Sequence, residues 1–309
     1  MSQATHPRLA ALVARARAHA AAHGAPRLGI VFPGDALALD AAARIADAGI
    51  ATPVLIGPLD AIARAADAAK VDLQRFEIVE TADVPRDAAR RATALARDGG
   101  VQALMKGSLH TDELMSAIVD KATGLRGATR ISHAFLFDLP RYPKLLALAD
   151  CVVNIAPHLP AKRDILTNAV RLLQTLGIAQ PKVGIVAAVE TVNPAIPATL
   201  DAQALVELSR AGAWPGAIVD GPFGFDNAIS AEAARIKKID SPVPGDADLL
   251  LMPDLNAGNM LYKSFNYIGG GDCAGLVLGA TVPVVLTSRA DSLQSRIASV
   301  ALAVLAIRR

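Results

Sequence analysis

The 309-residue chain is 52% hydrophobic, enough to bury a substantial core and long enough for two domains rather than one. A net charge of +2 with acids and bases interspersed gives no basic stripe for a phosphate backbone, and 4% aromatics leave few stacking platforms, so nucleic acid is not expected as a partner. The apolar run Ala298 to Ile307 is too short to span a bilayer and is flanked by Arg296 and Arg308, so a soluble protein with no membrane partner is expected.

The first 23 residues are Arg-rich and acid-poor, like a transit peptide. Leu9, Leu12 and Val13 nevertheless share one helical face and the segment runs straight into LGIVF, so it is predicted to be the first helix of the fold. From there short apolar runs alternate with Ala-rich helical patterns. The predicted strands are LGIVF, PVLIG, FEIVE, QALMKG, HAFLF, DCVVNIA, KVGIVAAV, GAIVDG, DLLLMP and GLVLGATVPVVLTS, with amphipathic helices such as 35–48 and 161–176 between them. Continuous apolar strands with helical crossovers predict an α/β fold with parallel sheets covered on both faces. Polar and Gly residues cluster where strands end, which is where open α/β sheets place ligands.

No linker or low-complexity tract interrupts the pattern. TGLRGATR, Thr123 to Arg130, is the predicted crossing between domains, with a return near Gly279 to Pro283. The expected division is 1–126 plus 281–309 for a first α/β domain and 127–280 for a second. Cys151 and Cys273 lie in apolar runs with no second cysteine nearby, which suits reduced core thiols in a cytoplasmic protein.

GGGDCA, Gly269 to Ala274, fits the G-x-G-x-x-A string of dinucleotide sites. It follows a helical pattern and precedes a strand, the reverse of what that fingerprint needs, so a helix-to-strand turn is predicted. No G-x-x-x-x-G-K-[ST] or H-E-x-x-H occurs, and His19 with His23 lacks a third ligand, so no metal site is expected. Five strings end strands with polar residues: MKGSLHTDELM, RISHAF, ETVNPAIPAT, DGPFGFDNAIS and PDLNAGNMLYK. Each alone is explained by turn and capping chemistry. VPVVLTSRADSLQSRIASV, Val282 to Val300, carries more. It begins as a strand, breaks at Thr287-Ser288-Arg289 and continues as an amphipathic helix. The helix N-terminus supplies N–H groups directed at an anion, and Arg289 adds a permanent planar cation. Together they describe an oxyanion or phosphate seat.

PDLNAGNMLYK, then GLVLGATVPVVLTSRADS, with DGPFGFDNAIS and VETVNPAIPATL upstream, resembles the phosphate acetyltransferase and phosphate butyryltransferase family over essentially the whole chain. ETVNP and SRADS resemble the butyryltransferase-like branch more than the acetyltransferases of acetate metabolism. The resemblance implies two doubly wound α/β domains of the isocitrate/isopropylmalate dehydrogenase-like type with an interdomain cleft, usually as a homodimer. It implies exchange of a short-chain acyl-CoA (acetyl or butyryl) plus phosphate with acyl phosphate plus CoA, by direct ternary-complex transfer. Coenzyme A is then a substrate, and no permanently bound cofactor is implied.

Ser288 and Arg289 match the family's active-site pair. The candidate substrate-binding residues are Ser108, His110, Thr111, Ser132, Asp226, Asn227, Asn256, Gly258, Asn259 and Lys263. The match departs from the acetyltransferases in two places. Their Asp seven residues after the active-site Ser is Ser295 here, which leaves Asp291 as the nearest carboxylate, either the base or the N-cap of the last helix. Their Arg after T-x-D-x-L is Met115 here, so Lys106, Arg126 and Arg130 are candidates for the second cation by proximity in sequence. These departures raise the alternative of a non-catalytic acyl-CoA-binding regulatory protein.

Overall fold

Most of the short apolar runs are strands, and the Ala-rich stretches are helices that turn an apolar stripe onto them. The computed structural model describes residues 6–286 and 291–307. The chain forms two compact units: a terminal unit of Leu9–Ile131 with Ala274–Arg309, and a central unit of Met1–Arg8 with Ser132–Cys273.

In the terminal unit, β1 (Arg27–Val31), β2 (Thr52–Gly57), β3 (Glu77–Glu80), β4 (Ala103–Lys106), β10 (Asp272–Leu278) and β11 (Val284–Val285) lie in the order β3-β2-β1-β4-β11-β10. β1, β2, β3, β4 and β11 run parallel. Helices α1 (Pro7–His23), α2 (Ala36–Asp47), α3 (Leu59–Ala69), α4 (Pro85–Arg97), α5 (Thr111–Ile118) and α11 (Leu293–Ala306) cover the strands. Ile30, Leu55, Ile56, Leu104 and Met105 are fully buried beneath them. Gly29 lets neighbouring strands interlock, because a Cβ there would stand 2.9 Å from Leu104 Cδ2. From β1 the chain runs outward to β3, then returns to β4 and β11 on the other side. The reversal between β1 and β4 is a topological switch point, where α/β sheets open a ligand crevice at their carboxyl ends.

In the central unit, β5 (Ser132–Asp138), β6 (Leu146–Ala149), β7 (Lys182–Val186), β8 (Ile218–Phe223) and β9 (Leu249–Leu251) lie in the order β5-β6-β9-β7-β8. Around them pack α6 (Leu159–Thr175), α7 (Pro197–Arg210), α8 (Phe225–Ile229), α9 (Ala231–Ile236) and α10 (Leu255–Tyr267). Phe135, Phe137, Phe223 and Leu250 belong to the core, and Phe135 stacks on Tyr262 of α10 with ring centroids 4.2 Å apart.

Three expectations about strands are corrected. The sheets are not wholly parallel: β5 with β6 and β10 with β11 are antiparallel, since a short connection cannot make the crossover that parallel pairing needs. GLVLGATVPVVLTS is two strands, divided at Gly279, which takes φ +82°. DCVVNIA is not a strand. The strand is the preceding LALA, and at Asp150 one carboxylate oxygen accepts from the N–H groups of Val152 and Val153 at 2.8 and 2.9 Å, which turns the chain. Among the described residues no helix is long and apolar enough to cross a membrane.

Candidate active site

At the switch point of the terminal unit, β1 is followed by Phe32, whose φ of +53° is a strained value for a bulky residue. Its carbonyl is held by the N–H groups of Gly34 and Ser108 at 2.9 and 2.8 Å. Asp35 then caps α2, one oxygen accepting from Ala38 N at 2.8 Å, while the other accepts from Ser108 Oγ at 2.8 Å. Ser108 Oγ in turn accepts from Gly34 N at 3.0 Å. Gly107 is required by close approach, since a Cβ would lie 2.5 Å from the Val31 carbonyl oxygen. The turn after β4 is thereby tied to the turn after β1. His110 N donates to Glu113 Oε2 at 2.8 Å, which fixes the start of α5 and leaves Thr111 exposed in its first turn.

Lys106 is spent inside this turn. It is buried, and its Nζ donates to the carbonyls of Gly107 and Leu109 at 3.2 and 3.0 Å. Arg126 and Arg130 are exposed.

The chain leaves β11, the parallel neighbour of β4, at Leu286 and is described again from Asp291. The expected catalytic pair Ser288 and Arg289 lies outside the described residues. Asp291 is half-buried and is not the helix cap. Ser292 is, its Oγ accepting from Ser295 N at 2.9 Å, so the capping alternative for Asp291 is corrected. Ser295, at the position where the acetyltransferases carry their Asp, is buried in the first turn of α11. The next residue, Arg296, is only 4% exposed. Burial pushes its guanidinium below its ordinary range, and the carboxylates of Asp291 and Asp35 oppose that shift. The charges of Asp35, Asp291 and Arg296 therefore gather at one end of the sheet. Arg296 read in the sequence only as a polar flank, and Asp35 only as the start of an amphipathic helix.

The carboxyl ends of the central strands carry the second set. Asp150 accepts from His133 N, Val152 N, Val153 N and Asn154 Nδ2 at 2.6–3.1 Å, yet burial still lifts its pKa above the usual carboxylate value. Gly258 of α10 lies so close to this loop that a Cβ would be 2.5 Å from the Asp150 carbonyl oxygen. Asn259 Nδ2 donates to the Cys151 carbonyl at 3.2 Å. Burial pushes the Cys151 thiol up, as befits a core residue rather than a nucleophile. Asn256 is exposed in the first turn of α10, whose cap is Asp254.

Asn227 is fully buried and donates to Glu190 Oε2 at 3.3 Å, while Lys237 Nζ reaches the same oxygen at 3.0 Å and Asp226 at 3.8 Å. The Lys237 hydrogen bond holds the Glu190 carboxyl below its usual value. Ser132, next to the His133 that donates to Asp150, is fully buried with its Oγ accepting from Asn168 Nδ2 at 2.9 Å. Lys263 is exposed farther along α10, 5.7 Å from the Tyr262 ring centroid. His133 of β5 has a fully buried imidazole whose nitrogens meet no hydrogen-bonding group. Among the described residues no group of three His, Cys, Asp or Glu is placed to hold a metal ion.

The terminal unit thus ties Ser108 to Asp35, which acts with Asp291 on Arg296, while His110 and Thr111 follow Ser108 into α5, and the central unit brings together Asp226 with Asn227 and Asn256 with Gly258 and Asn259. Sequence reading missed Asp35, Glu190, Lys237 and Arg296, whose partners are distant in the chain.

Comparison with known proteins gives this arrangement its chemistry. The family profile described as phosphate acetyl/butaryl transferase matches residues 81–304. A phosphate acetyltransferase of Rhizobium meliloti is 49% identical over 95% of this chain and 92% of its own length. A phosphate butyryltransferase of Clostridium acetobutylicum is 39% identical over 83% of this chain and 85% of its own length. The crystal structure of a branched-chain phosphotransacylase from Enterococcus faecalis superposes with a TM-score of 0.80 at 28% identity, covering 92% of this chain and all of the other. A phosphotransacetylase from Streptococcus pyogenes, at 21% identity and a TM-score of 0.81 over 96% of this chain and 98% of its own, shares the fold. With the profile covering most of the chain and these relatives aligned over nearly their whole length, the chain belongs to the phosphate acetyl- and butyryltransferase family and is a phosphate acyltransferase.

Proposed function

We propose that the chain moves a short acyl group directly between coenzyme A and phosphate in a ternary complex, with Ser288, Arg289 and Asp291 at the reacting atoms. In the acyl-phosphate direction the CoA thiol gives its proton to Asp291, the thiolate attacks the carbonyl carbon, and the carbon–oxygen bond to phosphate breaks with its electron pair leaving on phosphate. A free thiol titrates at roughly 8.5, so a base or a nearby cation is needed at neutral pH. The Arg296 guanidinium lies within electrostatic reach of the Asp291 carboxylate. Ser288 donates to the oxygen on which charge develops, and Arg289 grips the phosphoryl group with its planar fork.

The observation that carries this reading is the place of Thr287-Ser288-Arg289 in the chain, directly after the strand that pairs with β4 beside the switch point, in a family of phosphate acyltransferases. Ser108, His110, Thr111, Ser132, Asp226, Asn227, Asn256, Gly258, Asn259 and Lys263 are proposed to bind substrate or to hold the groups that do. The partners are acyl-CoA and CoA, phosphate and acyl phosphate, and a second copy of the chain in a cytoplasmic homodimer. The relatives are named as transferases, and nothing in the comparisons favours the non-catalytic alternative. Release of CoA from acetyl-CoA or butyryl-CoA on adding phosphate tests the proposal, whereas CoA binding with no turnover at high enzyme concentration would overturn it.

A further inference from the structure

The central unit carries an open cavity of about 330 Å³ beside the C-terminal turn of α9. This lies within the range of about 300–1,000 Å³ typical of small-molecule sites. Ile239 and Pro244 give it apolar surface, Asp240 and Ser241 give it hydrogen-bonding groups, and Arg235 and Lys238 give it positive charge. Its walls are held in place by backbone. Lys238 takes a left-handed φ of +58°, secured by its N–H to the Arg235 carbonyl at 3.1 Å, and Ile239 N donates to the Ala234 carbonyl at 2.9 Å. Gly245 N donates to the Ala228 carbonyl at 3.1 Å, closing the loop back onto α8, just ahead of α9.

The cations here differ from their neighbour. Lys237 is engaged by Glu190 at 3.0 Å, which fastens the end of α9 to the carboxyl ends of β7 and β8. Lys238 has no acidic partner at ion-pair distance among the described residues, and Arg235 reaches only the exposed Glu232 at 4.0 Å.

We propose that this cavity holds the phosphoadenosine end of coenzyme A, an inference that rests on the acyltransfer reading above. That end presents a flat apolar base with an amino group, a ribose and several phosphate oxygens, and the cavity offers apolar surface, a carboxylate, a hydroxyl and two available cations. The reacting thiol lies at the far end of a flexible pantetheine arm, so the nucleotide end can be held away from the chemistry. The site would supply cations for a chain in which Met115 stands where the acetyltransferases carry Arg and Lys106 is spent on carbonyls.

Adenosine 3′,5′-bisphosphate, which carries this end without the thiol, is the probe. Calorimetric titration of the wild-type protein should show saturable binding, weakened by about tenfold in Lys238→Glu and several-fold in Arg235→Ala, as expected for lost charge-assisted contacts. The same variants should raise KM for CoA while KM for phosphate and kcat at saturating CoA stay near wild type, and Lys238→Arg should recover most of the affinity. Circular dichroism at the assay temperature confirms that each variant is folded. Absence of bisphosphate binding to the wild-type protein, or variants with wild-type affinity for both bisphosphate and CoA, would overturn the inference while leaving acyltransfer intact. Bisphosphate binding by a protein with no phosphate-dependent turnover would instead sink the acyltransfer reading.

Discussion

The base and the phosphate cation are single residues whose roles can be separated by substitution. Because Ser292 and not Asp291 caps α11, Asp291→Asn should cost no helix cap, and any loss of folded stability should come from the charge it withdraws from buried Arg296. If Asp291 accepts the thiol proton, the same change should lower kcat by roughly 10²- to 10⁴-fold and flatten the acid limb of the pH–rate profile. A fully active variant would remove Asp291 from the mechanism. Arg289→Ala should weaken the phosphate side by about 1.5–3 kcal/mol, on the order of 10- to 150-fold, with CoA affinity in direct titration kept. Equal damage to CoA binding would put Arg289 on the wrong ligand. His133 makes a different prediction. Burial pushes its pKa from 6.5 to about 3, so between those values the unfolded chain holds a proton that the folded chain does not. Its contribution to stability is therefore full above about pH 6.5 and falls as pH drops, by up to about 1.4 kcal/mol per pH unit. His133→Leu should remove that part of the acid loss and should cost nothing at pH 7.5, since it deletes two buried polar atoms that lack partners. Urea denaturation at pH 7.5 and pH 5 measures both, and an unchanged pH dependence in the variant would refute the assignment.

At the scale of elements, what could be read in advance depended on whether the determining contacts were local. LGIVF and PVLIG are continuous apolar runs between turn signals, and they became β1 and β2. The glycines of GGGDCA became the turn between α10 and β10, with Asp272 already opening the strand, because a position between a helical pattern and an apolar run is a local property. DCVVNIA misled because it is as apolar as a strand. What bends it is the Asp150 carboxylate, anchored also by His133 of β5, seventeen residues away. The short β11 was hidden inside a longer apolar string for a similar reason, since its pairing with β4 comes from far upstream. Gly258 shows the same limit in the site. In the sequence it was a candidate ligand-binding residue in PDLNAGNMLYK, and in the fold it is also where α10 presses on the loop after β6. Gly258→Ala would set a Cβ 2.5 Å from the Asp150 carbonyl oxygen. The helix must then move away, at about 1–3 kcal/mol. A variant with the wild-type denaturation midpoint would show that α10 is free to move there.

For the molecule as a whole, the two α/β units follow the alternation of runs along the chain, which passes from one to the other between Ile131 and Ser132. The division we propose for the domains remains 1–126 with 281–309 and 127–280. Function at this scale is one exchange reaction whose chemistry sits at the carbonyl and the phosphate, while acyl length is read only by apolar surface. Relatives named for acetyl and for butyryl transfer both align with this chain over most of its length. One methylene in an apolar pocket changes preference by only about 10- to 200-fold. We therefore expect acetyl-, propionyl- and butyryl-CoA all to release CoA on adding phosphate, with kcat/KM graded along the series. The fractional loss in Arg289→Ala should be the same for all three, because the phosphate contact does not see the chain. If that loss instead varied steeply with acyl length, Arg289 would be shaping the acyl pocket and the roles proposed for the Ser288-Arg289 pair would have to be exchanged for others.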